Sequence, residues 1–130
     1  MKRLGNSRLL YLEQDAIDLA QAMGKIDSFI DSSVQIELSV EAILVYPKEG
    51  KFLVGREVTG YPTELPTGVK MLDIAGREVF EGRSEAKENS YEEVLKKAKE
   101  LSEAQGGRLY RLVFKSGNFL DPLTQWTMDS

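Results

Sequence analysis

From Val34 to Tyr46 apolar and polar side chains alternate: Val34, Ile36, Leu38, Val40, Ala42, Leu44 and Tyr46 against Gln35, Glu37, Ser39 and Glu41. A period of two marks a strand with one wet face. The alternation fails at Ile43 and Val45, which put apolar groups on the side that had been polar. Pro47–Gly50 (PKEG) reads as a turn and Lys51–Val58 as the returning strand of a hairpin, with Phe52, Leu53 and Val54 again apolar on both faces. Such a hairpin needs cover on two sides. One helix supplies one cover; the other has to come from the second helix, the C-terminal tail or another copy of the chain.

Two segments carry helical spacing. Leu9, Leu12, Ala16, Leu19, Ala20 and Met23 fall at steps of three and four, which predicts a helix over 7–23 ending at Gly24. A rival reading makes Arg8–Leu12 (RLLYL) a strand and starts the helix at Asp15; the single helix is preferred. Residues 25–33 then form a connector with Ile26, Phe29 and Ile30 packed. The second helix, 91–104, sets Tyr91, Val94, Leu95, Ala98 and Leu101 on one face, opens with a Ser90–Glu93 capping box and ends at Gly106–Gly107. Its Glu and Lys residues recur four apart, each pair worth a few tenths of a kcal/mol.

The tetrapeptide Gly-Arg-Glu-Val occurs twice, at 55–58 and 76–79, around the Pro- and Gly-rich loop TGYPTELPTG. With a strand over 69–80, the two copies read as the similar halves of a hairpin, each solving one packing problem. Residues 81–89 read as a solvated loop, 108–115 as a further strand and 116–118 as a turn. The tail FLDPLTQWTMDS holds Phe119, Leu120, Leu123 and the sole tryptophan, Trp126, and is too apolar to float. Residues 1–6 read as a loose basic end. The pattern predicts one α+β domain over 1–130. Its order is α-β-β-β-α-β plus tail 116–130, with a mainly antiparallel sheet of four or more strands and two helices on one face.

Composition narrows the chemistry. The 130 residues include no cysteine and no histidine, so thiolate chemistry, disulfides and imidazole catalysis are ruled out. Seventeen basic and 21 acidic residues leave a net charge of −4, which draws no strong pull from nucleic acid. No apolar run reaches the roughly 18 residues that span a bilayer, and Glu13, Asp15 and Asp18 interrupt any signal-peptide core. A cytoplasmic protein without membrane contact is expected.

Each candidate motif has a plainer reading. A metal site would need carboxylates alone, and Asp27 and Asp31 lack EF-hand spacing, so no metal or cofactor is expected. No phosphate-binding glycine motif occurs. Glu57 and Glu78 of the two repeats could share a proton if their strands pair, which with Tyr61 is the basis of an alternative reading as a small carboxylate enzyme.

In outline, the order helix, three strands, helix resembles a double-stranded-RNA-binding domain, whose second helix would aim lysines at phosphates. Here that helix begins with acidic SYEE. The layout with a last strand is also similar to that of type III secretion chaperones, which dimerise and hold an unfolded segment; size and acidity agree. The preferred expectation is a non-catalytic protein-interaction module: an adaptor, regulator or inhibitor, of a kind that suits a phage or mobile element. It would associate with a protein partner, first with itself as a homodimer, through Ile43, Val45, Leu53, Tyr61 and Trp126.

Overall fold

In the computed structural model, which describes residues 1–83, 90–115 and 121–128, nine strands and two helices are seen among the described residues. In chain order they are β1 (Lys2–Leu4), β2 (Ser7–Gln14), α1 (Leu19–Ser32), β3 (Ile36–Leu38), β4 (Ile43–Lys48), β5 (Lys51–Gly60), β6 (Lys70–Ile74), β7 (Arg77–Arg83), α2 (Tyr91–Ala104), β8 (Arg108–Phe114) and β9 (Leu123–Thr127). The architecture is α+β with a large, curled, antiparallel sheet. The expected element order is corrected: two strands precede the first helix, five lie between the helices and two follow the second. With that order goes the outline likeness to the RNA-binding domain and the secretion chaperones.

The N-terminal segment accounts for most of the difference. Leu9, Leu10, Tyr11 and Leu12 are four consecutive buried residues, the pattern of a strand covered on both faces. The rival strand reading of Arg8–Leu12 is therefore the one observed. The helix begins after Asp18, whose carboxylate accepts from Gln21 N at 3.1 Å. It runs through Gly24, which sits on the exposed side, because Leu19, Ala22 and Ile26 continue one buried stripe. Residues 2–4, expected loose, are paired with β7.

The sheet closes on itself. Leu4 faces Arg77 and Ser7 faces Ile74, so β1–β2 and β6–β7 are two kinked strands in one continuous register. Call this ladder the seam. From the seam, β2 pairs with β5, β5 with β4, β4 with β8, β8 with β9 and β9 with β7, returning to the start. Six strand paths form the ring. The kink falls at Gly5–Asn6 and Ala75–Gly76, where Asn6 Oδ1 accepts from Gly76 N at 2.7 Å.

Two apolar clusters follow from the two faces. One unites Leu10, Leu12, Val45, Val54, Leu112 and Phe114 with Leu19, Ala22 and Ile26 of α1 and Val94 and Ala98 of α2. The other holds Leu9, Tyr11, Leu44, Tyr46, Leu53 and Val113. No helical residue belongs to the second cluster, so the strands of the ring bury it against each other. This is the interior.

The alternation over 34–46 is split. β3 and β4 both lie along β5, with Leu38 opposite Val58 and Leu44 opposite Gly55. Ser39–Ala42 bulge out between them, and Ser39 N donates to Glu57 O at 2.9 Å. The bulge reverses the phase. Ile36 before it and Ile43 and Val45 after it all reach the helix-covered cluster. The failed alternation at Ile43 is thus a change of register within one strand path.

Helix α2 matches its expected bounds, with Ser90 Oγ accepting from Glu93 N at 3.4 Å. Of its expected four-apart ion pairs, Lys97–Glu93 is formed at 3.9 Å. Residues 81–83, expected in a loop, belong to β7, and 84–89 lie outside the described residues, as do the expected turn 116–118 and Phe119 and Leu120. Within the rest of the tail Leu123–Thr127 form β9, inserted between β7 and β8, and 129–130 lie outside the described residues. No helix among the described residues is long and apolar enough to cross a membrane.

Candidate functional site

Four of the five residues expected at a contact surface are covered by the chain itself. Ile43 and Val45 lie under the helices, Leu53 lies inside the ring, and Trp126 is 6% exposed. The hairpin is indeed apolar on both faces, but the second cover is the far side of the same sheet. Ile43, Val45 and Trp126 offer no surface to another chain, and Leu53 reaches only the wall of an inner cleft. Tyr61 is 65% exposed and its ring is engaged: the Arg8 guanidinium lies 3.5 Å from its centroid, and its hydroxyl donates to Asp73 at 3.3 Å. Arg8 completes the group, donating to Asp73 Oδ1 and to Gly60 O, each at 2.8 Å.

The two Gly-Arg-Glu-Val copies do not pair with each other. Strand β1–β2 lies between them, with Gly55 opposite Tyr11 on one side and Arg77 opposite Leu4 on the other. In the first copy Arg56 is on the helix side, donating twice to Asp27 of α1 at 2.7 and 3.0 Å, while Glu57 lines the interior. In the second copy the faces are exchanged. Arg77 turns inward over the Tyr110 ring at 4.8 Å, and Glu78 is exposed. Glu57 and Glu78 therefore never meet, and they form no dyad. Among the described residues no group of three or more acids is placed to hold a metal.

What the topology brings together is a polar core inside the ring that no sequence motif announced. Arg111, 9% exposed, donates from Nε to Gln125 Oε1 and from an Nη to the Tyr46 hydroxyl at 2.8 Å. Gln125 donates in turn to Glu81 at 3.2 Å. Tyr110 stands edge-on to Tyr46, ring centroids 5.4 Å apart. Burial holds the Tyr46 phenol above its ordinary pKa, with the charge of Arg111 pulling the other way and Tyr110 and Glu57 adding to the rise. The phenol stays neutral at physiological pH. The faint signal in the sequence is Arg111 amid the apolar run RLYRLVF, where a solvated lysine or arginine would break the pattern.

Because the seam strands overhang their neighbours, the ring is open on both flanks of the seam. Beside β6, which among the described residues pairs only with β2, lies a cleft of about 800 Å³ walled by Tyr46, Leu53, Leu72, Ile74 and Tyr110 and rimmed by Lys48, Lys99 and Arg108. Beside the kink lies a second cleft of about 610 Å³, reaching Ser39, Glu57 and Asp73. A cavity of about 180 Å³ joins the polar core to the second cleft. Volumes of this order suit small ligands or single side chains. The chain matches no protein-family model, no curated protein and no solved structure.

Proposed function

We propose that this protein is a non-catalytic protein-interaction module that associates through the free edge of β6, and that the first occupant of that edge is a second copy of the chain. The observation that carries this reading is the unpaired edge itself. Among the described residues Lys70–Ile74 is bonded on one side only, yet its Leu72 and Ile74 line the 800 Å³ cleft, and Leu72 is 38% exposed. An edge strand next to an apolar groove takes up an extended segment through main-chain hydrogen bonds, with alternate side chains entering the groove. Antiparallel pairing about a two-fold axis at Leu72 would set Lys70 against Ile74 and bring Leu72 against its own counterpart. Such a contact is isologous and closes as a dimer.

The non-catalytic part of the reading rests on the separation of Glu57 from Glu78 and on the lack of histidine and cysteine. Light scattering across a wide concentration range tests the association. A dimer is expected, with Leu72→Asp giving a monomer of unchanged melting temperature. A wild-type chain that stays strictly monomeric at high concentration overturns the self-pairing.

A further inference from the structure

The interior cavity holds a charge arrangement that the association reading leaves unused. Arg111 carries five N–H donors, and its bonds to Gln125 and Tyr46 occupy two groups with neutral acceptors. No carboxylate lies within ion-pair distance of its guanidinium among the described residues. A buried cation of this kind calls for an anion to offset its desolvation. Glu57 lines the same 180 Å³ cavity without touching Arg111; its Oε2 accepts from Ser39 Oγ at 3.1 Å. The two residues stand on β5 and β8 with β4 between them, two strand spacings (about 10 Å) apart across the sheet. They are further offset along it, since Glu57 lies beyond the Leu44–Gly55 pair and Arg111 beyond the Val45–Leu112 pair, toward opposite ends of β4. A guanidinium and a carboxylate thus face one small chamber from separate strands, and the chamber keeps them from meeting.

We infer that the cavity binds a small zwitterion, namely a free α-amino acid with a short side chain. Its carboxylate sits on the remaining Arg111 N–H groups and on the Tyr46 hydroxyl, whose own proton has no acceptor among the described residues. Its ammonium sits on Glu57. The size agrees: 180 Å³ is room for about six waters, hence for a molecule of the heavy-atom count of alanine or serine. Asn6 and Ser7 at the kink line both this cavity and the 610 Å³ cleft, which provides the way in. A mono-anion would engage Arg111 and leave Glu57 to Ser39 and solvent, and a mono-cation would leave the buried Arg111 uncompensated; a molecule bearing both charges engages both groups. The site needs no second copy of the chain.

The test uses the intact protein and three probes at equal ionic strength: L-alanine, propionate and ethylammonium. Chemical-shift mapping at about 10 mM probe detects affinities in the millimolar range. Alanine is expected to shift the resonances around Tyr46, Glu57 and Arg111, with either singly charged probe weaker by at least about tenfold, the worth of one charge-assisted hydrogen bond. Glu57→Gln, which keeps the side-chain shape and a partner for Ser39, should weaken alanine by a similar factor without lowering the melting temperature. Arg111→Met risks the folded interior, so the probe series on the unaltered chain and Glu57→Gln decide the matter. No response to alanine, an equal response to propionate, or full binding by Glu57→Gln overturns the inference.

Discussion

Gly55–Val58 and Gly76–Val79 spell the same four residues and flank the same strand, yet they do opposite things with their charges. The first copy sends its arginine out to Asp27 and its glutamate in; the second sends its arginine in and its glutamate out. The glycines behave alike. A Cβ on Gly55 would collide with Leu10 O, and one on Gly76 would collide with Leu4 O. What repeats is the need for a bare backbone where β1–β2 presses close; what differs is which face the next residue meets. A short motif therefore fixes a local steric allowance, while the sheet decides the chemistry.

The steric half of this comparison gives the largest expected effects. Gly55→Ala should destabilise by about 3 kcal/mol or more, because all three nearest atoms are backbone of β2 in the middle of a long ladder. Chemical denaturation measures it. Gly76→Ala should cost less, about 1–2 kcal/mol, since its neighbours belong to the kink and to the three-residue β1, which can shift. Equal losses at the two sites would break the distinction between a ladder centre and a corner.

The electrostatic half gives smaller effects. Arg56→Ala removes the two-pronged bond to Asp27 that ties α1 to β5, for an expected loss of about 1 kcal/mol, modest because Asp27 is partly solvated. A double-mutant cycle with Asp27→Ala isolates the coupling. Tyr46→Phe should cost about 1 kcal/mol through the lost bond from Arg111. It should also flatten the alkaline limb of stability. The raised Tyr46 pKa means the folded state holds that proton more tightly. Its contribution is complete below about pH 10 and is lost as pH climbs through the higher folded value. Tyr91, raised by burial and then by Asp18, leaves a residual alkaline slope in the variant.

The smallest effect is at the mouth of the ring. Glu13 has its pKa lowered by its bond to Lys70 and, less, by Lys51, at 3.3 and 3.6 Å. That contribution is present above the ordinary carboxylate pKa and fades as pH falls through the lower folded value. Glu13→Gln should remove this slight acid sensitivity in a melting-temperature profile. Glu78→Gln, on an exposed side chain, should change nothing measurable.

Several elements are legible in the residue pattern alone. Helix α2 is readable because cap, stripe and Gly-Gly stop agree over 14 residues. The β4–β5 hairpin is readable because alternation and turn coincide, and its demand for cover on both faces is sound. The N-terminal strand passes for a helix because four successive buried residues satisfy a three-four spacing as easily as a two-sided strand does. The tail is recognisably apolar, but its strand lies between β7 and β8, partners that sequence spacing does not single out. Of the polar core, Arg111 within an apolar run leaves the only trace. Tyr46, Arg111, Gln125 and Glu81 come from four strands and share no spacing.

By itself the sequence determined the absence of histidine and cysteine chemistry, the second helix and the central hairpin. These depend on composition, or on periodicities that a few neighbouring residues set. Only the tertiary structure decided that the sheet closes into a ring, that both faces of the hairpin are covered within one chain, and that Arg56 and Arg77 point opposite ways. Those outcomes depend on register between segments as far apart as Lys2 and Val79, and a shift of one residue in a strand exchanges its two faces.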